Sequence, residues 1–256
     1  MSRQQAIARA EQGFDSGQFW RDLADLVAQE TESQVSGRGD ALSAYLTETL
    51  APHLVALGMT ARLLPNPAPN GAPFLLAERV EAPGLPTVLS YGHGDVTRAQ
   101  TDAWAEGLHP FRLTQQGDRF YGRGSADNKG QHLVNLTALR AHLDRHGFPM
   151  VEIVDSDELP FTATRLDPDH PWARFAIASV TETVGTAPHL LPNLGGSLPN
   201  ECFSDILDLP TIWVPHFYAG CNQHAPDEHV LGSTMRQAAQ VMTGLFWDVG
   251  ATPPGK

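Results

Sequence analysis

Two stretches, Gly92-His93-Gly94-Asp95-Val96 and Tyr121-Gly122-Arg123-Gly124-Ser125-Ala126-Asp127-Asn128-Lys129-Gly130, decide how this chain is read. The first follows Thr87-Val88-Leu89-Ser90-Tyr91, a short run that suits a buried central strand. His93 is therefore expected just past a strand's carboxyl end, where ligands bind in open α/β sheets. The second stretch precedes a helical pattern over 128–146, with Leu133, Leu136, Leu139 and Leu143 at helical spacing. Gly122 and Gly124 let the backbone turn sharply, and Asp127 sits where a helix N-cap would. Capping occupies one carboxylate oxygen and leaves the other able to hold a cation.

Outward from these stretches, helical spacing predicts helices over 3–32, with Asp15 or Ser16 as a cap, and over 39–58. Strands are expected at 59–64 and 74–79, and a hairpin around Gln116-Gly117 joins 111–115 to 118–121. Farther on come a strand at 150–154, a helix at 171–184, a short helix at 202–207, a strand at 211–214 and a helix over 233–247. Strands alternate with helices, so the expected class is α/β, a mostly parallel sheet flanked by helices, in one domain over 1–256.

Composition narrows the function. The net charge of −12 repels phosphate backbones, which argues against nucleic acid as a partner. Cys202 and Cys221 have no C-x-x-C neighbour, so neither a zinc ribbon nor a disulfide framework is indicated. The opening residues are polar, unlike a signal peptide, and no long apolar run suggests a membrane span. A cytoplasmic location is the default expectation.

The chemistry lies in scattered His and carboxylate groups. Catalytic zinc takes His nitrogen and carboxylate oxygen while keeping a position open for water. Asp95, two residues past His93, can hold the far ring nitrogen, fixing the tautomer and raising ligand basicity. His224, in Gln223-His224-Ala225-Pro226-Asp227-Glu228-His229, lies beyond the expected strand at 211–214 and is the third candidate ligand. His229 is not spaced to share a helical face with it and is left out. Gly195-Gly196-Ser197 could offer backbone N–H groups to an anionic substrate end, although a plain turn is the commoner role. Trp104, Trp213 and Trp247 read as core or cleft-wall residues.

Together these stretches resemble the zinc-dependent aminoacylase, dipeptidase and carboxypeptidase family, which includes acetylornithine deacetylase and succinyl-diaminopimelate desuccinylase. The resemblance is carried by Gly92–Val96, Trp104, Pro110-Phe111, Tyr121–Gly130, Gly195–Pro199 and His224–Glu228. It implies a zinc-peptidase-like catalytic domain in which His93 and His224 each bind one zinc, Asp127 bridges the two and Asp95 orients His93. Cobalt or manganese would also suit such ligands. It further implies hydrolysis of amide bonds in dipeptides or N-acyl amino acids by zinc-activated water, with a glutamate as general base.

The sequence departs from the family pattern after the helix that follows Asp127. Asp127 and His224 are 97 positions apart, too few for the rest of the sheet, a Glu-Glu pair and a complete lid that forms the dimer. A deletion junction is expected near 149–151. Two readings follow for Asp155-Ser156-Asp157-Glu158. Either Asp157 stands in as base and Glu158 as ligand, or 151–163 is a remnant of the lid with an ordinary acidic turn, which is the preferred reading. Activity of the shortened chain is then in question, and the alternative is a non-catalytic metal-binding or interaction protein on the same core. The oligomeric state stays open without the dimerisation domain.

Overall fold

The computed structural model describes residues 2–67, 71–80, 84, 87–143, 164–191 and 199–254. The chain opens on α1 (Arg3–Asp15), whose first turn is closed reciprocally: Ser2 Oγ accepts from the Gln5 amide and the Gln5 side chain accepts from the Ser2 amide. Ala6, Ala10 and Phe14 form its buried stripe. The single helix expected over 3–32 is in fact two. Gly17 takes a left-handed conformation (φ 76°) and starts α2 (Gln18–Val27), which turns Phe19, Leu23, Leu26 and Val27 into the core. The helix expected over 39–58 is interrupted as well. It runs as α3 (Gly39–Ala44), a π-helical segment (Tyr45–Leu50) and α4 (Ala51–Ala56). Tyr45 at the start of the π segment is buried and hydrogen-bonds His132 (3.1 Å).

α5 (Lys129–Leu143), α6 (Pro171–Val184) and α7 (Gly232–Ala251) complete the helical layer. α7 packs against α1, α5 and α6, and α5 also meets α1 and α2. Arg3 of α1 clamps Asp248 of α7 through two bonds of 2.8 and 3.0 Å, a bidentate pair at a half-buried seam. The core gathers Phe14, Phe19, Leu23, Leu26, Leu133 and Met235, with Trp20 stacked parallel on Phe120 at 3.4 Å.

Thr60–Leu64 (β1) and Phe74–Glu78 (β2) pair antiparallel. Thr114–Gln116 (β3) and Arg119–Tyr121 (β4) form the expected hairpin, and His229–Leu231 (β5), which sequence reasoning missed, adds antiparallel to β4. The mostly parallel sheet expected is not seen among the described residues, where every ladder is antiparallel and the one parallel pairing is an isolated bridge between Glu32 and Val96. Residues 87–91 and 211–214 lie outside any strand, with Val88 51% and Trp213 40% exposed. A strand of a parallel sheet needs neighbours on its edges. The neighbour expected at 150–154, like the junction near 149–151, lies outside the described residues.

Candidate active site

Three loops meet on Asp127. The first, His93–Val96, is tied to the end of α2: the Val96 amide donates to the Thr31 carbonyl (2.9 Å) and Thr31 Oγ1 donates to the Gly94 carbonyl (2.6 Å). A Cβ on Gly94 would collide with the Tyr45 ring, so this close approach needs glycine. The second loop turns at Gly124 (φ 84°) and delivers Asp127 two residues before α5. Its 127–128 peptide bond is cis, and Asn128 Oδ1 accepts from the His93 amide (3.2 Å). The third loop carries His224. Asn222, His224 and Asp227 all have positive φ there, a costly backbone for non-glycine residues. Bonds hold it in place: the Ala225 amide donates to the Asn222 carbonyl (2.9 Å) and the Ala105 amide to Asp227 Oδ1 (2.9 Å).

The carboxylate of Asp127 is divided between two imidazoles. His93 Nε2 lies 3.1 Å from Oδ1, and His224 Nε2 is in hydrogen-bond contact with Oδ2. On the far side of its ring, His93 Nδ1 lies 3.1 Å from both the carbonyl and the Oδ1 of Asp95. Burial alone would lower the His93 pKa. The hydrogen bonds from Asp127 and Asp95 outweigh it and push the value to about 10. Asp127 is held below the ordinary carboxylate range: burial pulls it up, but His93 and His224 together pull it down further. Asp95 is lowered too, first by its bond to His93.

Lys129, fully buried, donates to the Gln29 carbonyl (2.8 Å) and lies 5.0 Å from the Tyr45 ring centroid. Burial brings its pKa down to about 7. His132, one turn along α5, is lowered to about 3 by burial and by the neighbouring His93.

Among the described residues no group of three or more His, Cys, Asp or Glu side chains surrounds one point as a finished metal site. The donor chemistry nonetheless suits divalent ions. Each imidazole Nε2 faces its own oxygen of a shared carboxylate, and Asp95 lies at the opposite nitrogen of His93, where it would hold a proton on Nδ1 if a cation displaced the one on Nε2. Further donors must come from elsewhere. Asp157, Glu158, Gly195, Gly196 and Ser197 lie outside the described residues.

His229, excluded as a ligand, is buried between the Tyr218 hydroxyl (2.6 Å) and the Asp227 carbonyl (2.8 Å). Trp104 is buried and donates to the Ala99 carbonyl (2.8 Å). Glu228, which the sequence offered only as a nearby charge, is fully buried against Arg123 at 2.9 Å. Its place next to a histidine in a Pro-containing loop gave no signal of that burial.

Comparison with known proteins adds an independent line. Residues 89–158 match the model of peptidase family M20/M25/M40. The chain is 46% identical over 68 residues to the beta-Ala-His dipeptidase of Mus musculus, covering 26% of this chain and 13% of that protein. To the acetylornithine deacetylase of Pasteurella multocida it is 33% identical over 141 residues, covering 55% of this chain and 36% of that one. The chain thus matches well under half the length of these curated relatives.

Among solved structures, the dipeptidase Dug1p of Saccharomyces cerevisiae superposes with a TM-score of 0.79 at 12% identity, over 99% of this chain and 100% of that one. Human carnosine dipeptidase 1 does so at 0.74 and 14%, over 96% and 99%. Identities this low speak for the fold alone. Residues 89–158 are thus similar to part of peptidase family M20/M25/M40, and the fold is that of the solved dipeptidases.

Proposed function

We propose that the chain is the metal-binding core of a hydrolase that cleaves amide bonds in dipeptides or N-acyl amino acids. The observation that carries this reading is the sharing of one carboxylate, Asp127, between His93 and His224 from distant loops. His93, Asp127 and His224 would hold one or two divalent ions, with zinc the first candidate and cobalt or manganese suited to the same donors. Such ions, when bound, supply Lewis acidity toward a carbonyl and activate water.

The chain's own residues do the rest. Asp95 would keep a proton on His93 Nδ1 when the Nε2 proton, held by Asp127 in the metal-free chain, gives way to a cation. The His224 side chain, 55% exposed, marks the side from which a substrate enters. If 155–158 takes the place of the Glu-Glu loop, and not that of a lid remnant as the preferred reading has it, Glu158 would add a further ligand and Asp157 would take the proton, the shorter Asp having less reach than a Glu. Gly195, Gly196 and Ser197 would receive an anionic substrate terminus. The same proposal places a cytoplasmic protein in one domain over 1–256, with a junction near 149–151 and without the complete lid.

A second reading, a metal-binding core without turnover, is favoured by the 97 positions between Asp127 and His224, which hold no plain Glu-Glu pair. One experiment separates the two: elemental analysis of the wild type and His93→Ala, with hydrolysis of β-alanylhistidine and N-acetylornithine assayed on the same samples. Metal with turnover in the wild type, both lost in His93→Ala, supports the hydrolase. Metal without turnover leaves the non-catalytic core, and absence of metal from both proteins ends both readings.

A further inference from the structure

We infer that the buried ion pair Arg123–Glu228 is a positioning device for this centre, setting the place of Asp127 through the backbone of all three loops. The inference rests on the metal-site reading above. Glu228 Oε1 accepts from the amides of Gly124 (3.2 Å), Ala126 (3.1 Å) and Asp127 (3.0 Å), while Oε2 accepts from Arg123 Nη1 (2.9 Å). The Glu228 carbonyl also receives the Gly122 amide (2.9 Å). A single carboxylate thereby dictates the curvature of the turn that ends on Asp127, and it stands four residues past His224 in the same loop.

Arg123 carries the constraint to the remaining loop. Its Nη2 donates to the carbonyls of Arg98 and Ala99, each at 3.2 Å, just beyond the His93–Val96 segment, and its guanidinium lies 5.7 Å from the Trp104 ring centroid. Both partners are at most 1% exposed.

Stability alone is a weak reason to bury such a pair, because well-packed neutral residues usually serve as well. What neutral apolar residues cannot do is receive amides that converge on one point, and unpaired buried amides rearrange the turn. Neither residue reaches a substrate, so both are positioning residues.

The test uses the full chain and two variants that each remove both charges: R123M/E228Q, which keeps an oxygen facing the amides, and R123M/E228L, which does not. Cobalt(II) affinity is read by visible absorbance, thermal unfolding is recorded on the same samples, and amide exchange at Gly124, Ala126 and Asp127 is followed without metal. We expect R123M/E228L to bind cobalt roughly 10- to 100-fold more weakly than R123M/E228Q, the usual effect of losing an outer-shell partner. The melting temperatures should stay close, and the three amides should exchange at least about tenfold faster in the Leu variant, the loss expected once their acceptor is gone.

A purely stabilising pair would instead move cobalt affinity only in step with melting temperature, and that result overturns the inference. Equal cobalt affinity in the two variants also overturns it. Should R123M/E228L fail to fold, Glu228→Asp retracts the oxygen with its charge kept; cobalt affinity unchanged from wild type then counts against the inference, and a tenfold or greater loss supports it. A wild type that takes up no cobalt removes the proposed function, and the amide exchange still decides the positioning claim.

Discussion

The loops around Asp127 and the exposed stretches 87–91 and 206–213 are held by different means. In the loops, Arg123, Lys129 and Glu228 are almost wholly withdrawn from solvent, and each bonds to the backbone of a neighbouring loop. On the surface, Val88, Leu89, Ile206, Leu207 and Trp213 stand between 40% and 59% exposed, and among the described residues none of them belongs to a strand. The contrast teaches that the placement of the candidate ligands depends on bonds between side chains and loop backbone, together with the core beneath, and not on any strand pairing seen at 87–91. It also identifies where burial sustains the fold and where it does not.

The sharpest way to break that contrast is a matched pair of truncations. Leu23 is fully buried in α2, whereas Leu89 is 48% exposed. Leu23→Ala should lower the unfolding free energy by about 2–5 kcal/mol, as a core cavity does. Leu89→Ala should stay within roughly 0.5 kcal/mol, as surface substitutions do. Chemical denaturation of both variants checks this; equal losses would mean that 87–91 is packed in solution after all.

A smaller effect sharpens the other side of the contrast. Asp95→Asn keeps the size of the group behind His93 but removes the charge at its Nδ1, 3.1 Å away. Zinc affinity, measured by competition with a chelating dye, should fall roughly 10- to 100-fold with little change in melting temperature. Unchanged affinity would mean that the Asp95 carbonyl, also 3.1 Å from Nδ1, is sufficient to hold the ring.

Local rules made several elements legible. α6 could be read from Pro171 at its first position and Gly185 just past its end, where the glycine takes φ 75°. The β3–β4 turn could be read from Gly117. Convergence on Asp127 was legible only through motif resemblance, because nothing in spacing alone brings residues 97 positions apart together.

What could not be read depends on tertiary contacts. The break at Gly17 is marked only by the cap expected at Asp15 or Ser16; the helical pattern runs on across it, and an isolated glycine is tolerated in a helix. The π segment at Tyr45–Leu50 leaves no compositional trace, and Tyr45 is explained only by its meeting with His132 and Gly94. β5 is too short to alternate visibly, and its place follows from its pairing with β4. The parallel sheet is not seen among the described residues: an apolar run such as Thr87–Tyr91 reports a capacity for pairing, a ladder also requires a neighbour, and the neighbour expected at 150–154 lies outside those residues.

The smallest effect expected is a pH dependence that separates the ligand cluster from imidazoles buried elsewhere. In the folded, metal-free chain the His93 pKa is raised from 6.5 to about 10 by Asp127 and Asp95 prevailing over burial. A raised value means that the folded state binds the proton more tightly than the unfolded one. The His93 contribution is therefore complete below pH 6.5 and is lost as pH climbs through about 10.

His216 and His132 act in the opposite sense. Burial lowers them from 6.5 to about 4 and about 3, so the unfolded chain takes up the protons and stability falls as pH drops below 6.5. Asp127 and Asp95, both below their ordinary 3.8, add a further loss at still lower pH. Lys129, lowered by burial from 10.5 to about 7, opposes His93 between pH 7 and 10, because there the unfolded chain binds its proton and the folded one does not; the alkaline change in wild-type stability is the difference of the two. Urea midpoints measured from pH 5 to 10 in the presence of a chelator check this, on wild type, His93→Asn and His216→Asn. His93→Asn should remove the falling contribution and leave stability rising between pH 7 and 10 through Lys129, and His216→Asn should flatten part of the acid fall, because the first imidazole titrates against the carboxylates of the site and the second against the cost of burial. An alkaline fall that survives in His93→Asn would show that Asp127 does not hold the proton on that ring, and the pairing at the centre of the site would have to be redrawn.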